Sequence, residues 1–336
     1  MANIQDVARA AGVSTASVSR FLSGKTVRSG EAIGRAVREL GYSPSVVART
    51  LKSGRHDSLG VIVPDITNPF FAGLVKGIDD VARPAGFQLI LGNSDEDPEQ
   101  ENSLLESFVP RTDGIIIAPL VEEDRSVLGL DGQSLPVVLV DRQLSIETGF
   151  DRVVADNVAG SRLAVDHLTS LGHSAIAFIS GPPTSSPGRS RRDGFLRSMS
   201  AHGLAVRDDY LRLGDFREES GFHGMRALWS LTDRPTAVFV ANNLMAIGAL
   251  KALNDLGVRV PEDVSVISFD DLSFASLLNP PLTVIGRDER EQGRIAARLL
   301  LRRLTGDPAA PAEKVTVPVE LVIRRSTSSP RSPNRK

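Results

Sequence analysis

The chain has 336 residues, enough for two or three folded units rather than one core. It contains no cysteine, which excludes disulfides, thiol chemistry and Cys-ligated metals, and its 41% hydrophobic and 24% charged residues form an ordinary globular mixture. The net charge of −2 hides a division: residues 1–57 hold nine Lys or Arg against four acids, a balance of +5, while the remainder carries −7. A small basic head on a larger acidic body suits a polyanion partner for the head alone. No run reaches the ~18 continuous apolar residues of a membrane span. The start, MANIQDVARAAGVS, lacks a basic segment followed by an apolar one, so a cytoplasmic protein without membrane contact is expected.

The head reads as three short helices. Asn3 caps the first and Asp6 completes a box-like start, with Ile4, Val7, Ala8 and Ala11 on one face and Gly12 at the turn. Ser14 caps a second helix running to about Phe21. A third covers roughly Glu31 to Leu40, with Ala32, Ile33, Ala36, Val37 and Leu40 as its buried stripe and Gly41 as its stop. In YSPSVVARTLKSGRHD, Pro44 breaks the chain and VVARTLK offers one or two helical turns, too few to hold alone in water.

From Ser58 short apolar runs alternate with helical patterns. SLGVIVPDI, FQLILGNS, DGIIIAPL, PVVLVDRQ and DRVVADN form one series of strands, and AIAFISGP, YLRLGDF, TAVFVANN and VSVISFDD a second, with LTVIGR and VTVPVELVIR late in the chain. Apolar strands separated by helices indicate parallel sheets covered on both faces, and two series indicate two doubly wound subdomains. The polar, basic tail after Arg324 is expected to be disordered.

The segment GVSTASVSRFLSGK explains the charge of the head. On a wheel of about 100° per residue, Val18, Phe21 and Leu22 share an apolar arc, while Thr15, Ala16, Ser19 and Arg20 share the opposite one. Arg can bond guanine O6 and N7 in a bidentate manner, and the methyl-bearing Thr15 and Ala16 can meet a thymine methyl. Ser14, Ser17 and Ser19 are the candidates for phosphate contacts. An amphipathic surface helix with no ligand is the plainer alternative, disfavoured by the preceding helix, the glycine turn and the basic charge. Leu51, flanked by Arg49 and Lys52 where no core is evident, has the character of a minor-groove wedge, although a linker leucine also suits simple packing.

In open parallel sheets ligands sit beyond the carboxyl ends of the strands. Asp141 and Arg142, Asn242 and Asp270 follow apolar strands, Phe216 ends LRLGDF, and Phe70 and Phe71 open the helix after DITNP. Acid and guanidinium can share the hydroxyls of a sugar while an aromatic ring covers its apolar face, although each residue taken singly also fits a helix cap or turn. A metabolite-binding protein or enzyme without a DNA role is the competing class. SGKT at Ser23–Thr26 is half a phosphate loop, but Ser19 stands where its first glycine belongs, and no G-x-G-x-x-G follows a strand, so no enzyme and no cofactor are expected.

Four separated blocks, IQDVARAAGVSTASVSRFLSGK, LGYSPSVVARTLKSGR, VIVPDITNPFFAGLVKGI and VPEDVSVISFDDLSFASLLNPPLTVI, resemble the lactose-repressor (LacI/GalR) family in order over nearly the whole chain. The resemblance implies a homodimeric DNA-binding repressor of a near-palindromic operator. Its core would resemble periplasmic binding proteins and hold a small effector between two subdomains. It places Thr15, Ala16 and Arg20 at base-reading positions, and Leu51 and Lys52 in the minor groove at the operator centre. It matches Phe71, Asp141, Arg142, Arg191, Phe216, Asn242 and Asp270 to effector contacts, Arg191 through its R-x-x-G-F pattern. The purine-responsive member of the family has tryptophan where Arg142 stands, and arginine and threonine where Ser185 and Pro187 stand, so the resemblance favours a sugar or sugar derivative. The chain departs from the family between Val27 and Leu40, where it is slightly shorter.

The expected organisation is therefore an N-terminal all-α helix-turn-helix head (1–43), a hinge linker (44–57) and an α/β core (58–328), with a disordered tail (329–336). The core divides into a subdomain of about 58–157 with 287–317 and another of about 158–286 with 318–328.

Overall fold

A computed structural model describes residues 2–22, 24–42, 55–120, 125–131, 135–272, 274–306 and 310–331. The chain divides into two compact units, Met1–His56 and Asp57–Lys336. Leu51, Lys52 and the rest of the expected hinge helix lie outside the described residues.

The first unit holds α1 (Ile4–Ala11), α2 (Thr15–Leu22) and α3 (Gly30–Glu39). The Asn3 side chain accepts from the Gln5 and Asp6 amides while Asp6 returns to the Asn3 amide, closing the capping box at the start of α1. Gly12, at φ 65°, donates back to the end of α1 and turns the chain toward α2. Ser14 accepts from the Ser17 amide at 3.2 Å and caps α2. Val7, Ala8, Val18, Ile33 and Ala36 form the buried centre, joined by the half-buried Phe21, Leu22 and Val37. The Phe21 ring lies against Gly30 and Gly34, whose missing side chains let α2 and α3 pack closely across a short connection. The expected stripe of α3 is too wide. Ala32 is exposed and Leu40 is 38% exposed past the last turn, because so small a three-helix core has room for only a narrow stripe.

The second unit is built on two six-stranded sheets. The first contains β1 (Ser58–Val63), β2 (Gln88–Asn93), β3 (Gly114–Ile117), β4 (Val137–Val140), β5 (Asp151–Ala155) and β11 (Lys314–Val317), all parallel, in the order β11-β5-β4-β3-β1-β2. The second contains β6 (Ile176–Ser180), β7 (Leu211–Leu213), β8 (Ala237–Val240), β9 (Ser265–Phe269), β10 (Thr283–Gly286) and β12 (Glu320–Val322), in the order β12-β10-β9-β8-β6-β7. Among the described strands of that sheet only β12 runs antiparallel, against β10.

Helices cover both faces. In the first half they are α4 (Pro69–Ala82), α5 (Pro98–Phe108) and α6 (Arg125–Leu128); in the second, α7 (Asn157–Ser170), α8 (Ser186–Ala201), α9 (Glu218–Trp229) and α10 (Asn243–Asp255). The late helix α11 (Glu289–Thr305) returns to the first half and packs on α4. A side chain at Gly77 would strike the Arg290 carbonyl and one at Gly293 the Leu74 carbonyl, so this pair meets backbone to backbone. Fully buried runs in β1, β3, β4, β6, β8 and β9 account for the continuous apolar stretches of the sequence.

The run VTVPVELVIR is two strands, since Pro318 breaks it and its halves join different sheets. The expectation of disorder after Arg324 is corrected for residues 325–331, while 332–336 lie outside the described residues. Ser326 is buried, accepting from the Thr283 amide at 2.8 Å and donating to the Val266 carbonyl at 2.6 Å. Ser328 bonds Ser265, and Arg331 pairs with Asp263 at 2.5 Å. Backbone groups beyond β12 therefore find fixed partners along β9 and β10, which composition alone does not disclose.

Candidate functional site

In the first unit Ser14, Thr15, Ala16 and Arg20 are exposed and Ser17 and Ser19 are half-buried, while Val18 is buried on the opposite side of α2. The Ser14 and Ser17 hydroxyls lie 3.1 Å apart. The arc of small polar side chains and one guanidinium thus faces away from the core of the head, with Arg9, Lys25, Arg28, Arg35 and Arg38 also exposed.

In the second unit the strand order reverses at β1/β3 in one sheet and at β6/β8 in the other, and residues beyond the carboxyl ends of strands from both sheets line one cavity. Phe70, Phe71, Asp141, Arg142, Arg191, Phe216, Asn242 and Asp270 all line it. Asn68 caps α4 through the Phe70 amide, and Pro69 starts that helix, which sets Phe70 and Phe71 at its first turn with their rings 4.9 Å apart, edge to face. Asp141, Phe216 and Asp270 adopt left-handed backbone, φ 61°, 70° and 64°, beyond the ends of β4, β7 and β9. Asn242 caps α10 by accepting from the Met245 amide at 3.0 Å and donates to the Phe216 carbonyl at 2.8 Å. Its cap role and its place in the cavity coexist.

The charges are tied to one another. Arg287 donates to Asp141 at 2.6 Å and to Asp270 at 2.7 Å, joining the ends of two strands from different sheets, and its guanidinium lies 3.7 Å from the centre of the Phe70 ring. Arg191 donates to Asn157 at 2.8 Å and the Ala241 carbonyl at 2.6 Å, approaches Asp270 at 3.5 Å, and stacks 3.6 Å from the Phe269 ring. Arg142 forms a two-pronged pair with Glu96. The Gln143 amide donates to Ser186 at 3.0 Å, and Asn243 donates to Asn68 at 3.1 Å, so further bonds join the two halves.

Residues 3–45 match the model of bacterial regulatory proteins of the lacI family, and residues 165–327 match that of a periplasmic binding protein-like domain. The chain is 36% identical to the ribose operon repressor of Escherichia coli over 314 residues, 91% of this chain and 94% of the relative. It is 35% identical to the transcriptional repressor PurR of Mannheimia succiniciproducens, covering 97% and 98%. The chain belongs to the LacI family. The lac repressor dimer bound to operator and the anti-inducer ONPF superposes with a TM-score of 0.86 at 29% identity, covering 97% of this chain and 99% of that one.

As a LacI-family member the chain is a DNA-binding transcriptional regulator and not an enzyme, with a helix-turn-helix head and a core of two parallel-sheet subdomains. No helix among the described residues is long and apolar enough to cross a membrane.

Burial and ion pairing oppose one another in this LacI-family cleft. Burial pushes the Asp141 carboxyl up, but Arg287, Arg191 and Arg142 outweigh it and leave the group below its ordinary value. Burial pulls Arg191 down to about 10 despite the opposing attraction of Asp270. It also disfavours the charge on Arg287, yet Asp270 and Asp141 more than compensate and hold that guanidinium above its ordinary value. Arg287, which is absent from the candidates read from the sequence, follows an apolar strand just as Arg142 does. Glu96 and Arg217 also follow strand runs, FQLILGNS and YLRLGDF, but they lie two or more residues beyond the strand ends, where the first polar residue after a run does not point to them.

Proposed function

We propose that the chain is a cytoplasmic homodimeric repressor whose hold on a near-palindromic operator is governed by a sugar or sugar derivative bound in the cleft. Two copies of α2 enter successive major grooves. Thr15 and Ala16 offer methyls to thymine, Arg20 reads guanine, and Ser14, Ser17 and Ser19 take phosphates. Leu51 and Lys52 work in the minor groove between the half-sites. In the cleft, Phe70, Phe71 and Phe216 cover the apolar face of the ligand, while Asp141, Arg142, Arg191, Asn242 and Asp270 share its hydroxyls. Because the lining comes from both sheets, a ligand changes the relation between the halves and so biases the linker.

The observation that carries this reading is the convergence, on one cavity, of residues beyond the strand ends of both sheets, with aromatic rings and paired charges. The name of the ribose operon repressor supports a sugar. The test is a thermal-shift screen of the full chain with pentoses, hexoses, disaccharides and purine bases, followed by operator binding with each hit. A saturating sugar at a hundred times its Kd stabilises the protein by about 2.7 kcal/mol and alters operator affinity. A response to purine bases alone overturns the sugar, and binding to DNA with no sequence preference overturns the role of α2.

A further inference from the structure

The mouth of the cleft carries one carboxylate with a charge-setting position. Glu96 lies in the loop between β2 and α5, where Asp95 and Glu96 are consecutive non-glycine residues in left-handed backbone, φ 52° and 56°. The loop is fixed on both sides. Ser94 is fully buried and its amide donates to the Val63 carbonyl at 3.0 Å, the Glu96 amide donates to the Pro64 carbonyl at 3.1 Å, and Asp97 caps α5. This turn sends the Glu96 carboxylate inward, 21% exposed, onto the guanidinium of Arg142, which is 4% exposed. Two prongs of that fork are occupied by Glu96, and the third, Nε, has no hydrogen-bond partner among the described residues. Arg217, from the segment after β7, donates to the Asp95 carbonyl at 2.6 Å and so ties the turn to the other half of the core.

The buried charges of the cleft can be weighed directly. Arg191 and Arg287 are balanced by Asp141 and Asp270, to which they are bonded or adjacent. Arg142 has Glu96 as its hydrogen-bonded counter-charge, with the more distant Asp141 and Glu101 adding to its stabilisation. With Glu96 in place the cleft has no spare positive charge, and without it one buried guanidinium presents an unpaired fork. Resting on the reading of this cavity as the effector site, we propose that Glu96 sets the charge class of the effector. By filling the fork of Arg142 it admits a neutral polyhydroxyl ligand and rejects one bearing phosphate or carboxylate. The hydroxyls of a neutral ligand can donate to the remaining lone pairs of the Glu96 carboxylate, whose side chain is 21% exposed. An anionic group must instead approach that carboxylate or expel it into a low-dielectric wall, and either costs binding.

The experiment uses the full chain and its Glu96→Gln variant, which keeps the size and polarity of the side chain without its charge. The probes are inorganic phosphate and two matched pairs, ribose with ribose 5-phosphate and glucose with glucose 6-phosphate, read by titration calorimetry and thermal shift. The parent is expected to prefer the neutral member of a pair and to ignore inorganic phosphate. The variant shifts the ratio toward the phosphorylated member by about tenfold or more and gains a response to inorganic phosphate that adding Arg142→Met removes. A parent that binds the phosphorylated member as well as the neutral one overturns the proposal, and that measurement does not depend on how the variant folds. Equal phosphate responses in parent and variant overturn it whichever sugars bind. If no sugar binds either protein, the effector reading falls, while capture of phosphate by the variant alone still supports the role of Glu96.

Discussion

Asp141 and Asp270 occupy the same place in the two sheets. The Asp141 amide donates to Val153 of β5 and the Asp270 amide to Ile285 of β10, both at 2.9 Å, and both residues sit in left-handed backbone. That conformation costs a non-glycine residue about 1–3 kcal/mol, so it persists where its surroundings impose it. Here the imposition is Arg287, which grips both carboxylates. Removing the charge of Asp270 leaves Arg191 and Arg287 buried against Asp141 alone. Asp270→Asn is expected to lower unfolding free energy by about 2–4 kcal/mol in urea titrations, because a broken buried pair strands a charge. Asp271→Asn, at the less buried pair with Arg324, should cost less, about 1 kcal/mol. Equal effects of the two would show that the Arg287 network is not coupled. The residues of the site were legible to different depths. Asp141, Arg142, Asn242 and Asp270 show themselves where an apolar run ends in a polar residue. Arg191 lies within α8 and was visible only through family resemblance. Glu96 depends on two strained residues in SDED that no composition rule discloses.

Element boundaries followed the caps. Asn3, Ser14 and Gly41 bound the helices of the head because side-chain oxygens and positive φ act locally, within reach of sequence logic. What escaped was long-range. Pro318 splits one apolar run, and the destination of each half is set by partners more than a hundred residues away for β11 and 34 to 38 away for β12. The tail beyond β12 reads as polar and free, yet its serines complete the hydrogen bonding of β9 and β10. Ser326→Ala should therefore destabilise the core by about 1–3 kcal/mol, since it orphans the buried Thr283 amide and removes the donor to Val266. Ser329→Ala, at an exposed position, should stay within about 0.5 kcal/mol. Thermal unfolding of the two variants checks this, and matching melting points would mean that the tail is not an integral edge of the sheet.

At the scale of the whole molecule, the basic first 57 residues and the acidic remainder divide the work by charge, and the acidic part carries its own dependence on pH. His173 is buried at 3% exposure, between Thr236 and Ser265, with the Ser328 carbonyl 2.8 Å from Nε2. Burial holds its pKa below the ordinary value, the Ser328 bond opposing and His167 adding to the effect, and burial lowers His167 likewise. As pH falls, the unfolded chain takes up protons at these histidines first, near about pH 6.5, while the folded core resists until lower pH. Over that interval the unfolded state binds more protons, so stability falls with falling pH. Asp141 acts in a lower window: held below its ordinary value, its contribution is present above about pH 4 and is lost as pH drops through the folded value. Urea midpoints measured from about pH 7.5 downward should thus decline in two limbs, the upper from histidine and the lower from carboxylate. Gln at position 173 keeps one donor and one acceptor without titrating. His173→Gln is expected to flatten the upper limb and His167→Gln to flatten it further, with the lower limb unmoved. An upper limb unchanged in the double variant would place the source of that decline elsewhere.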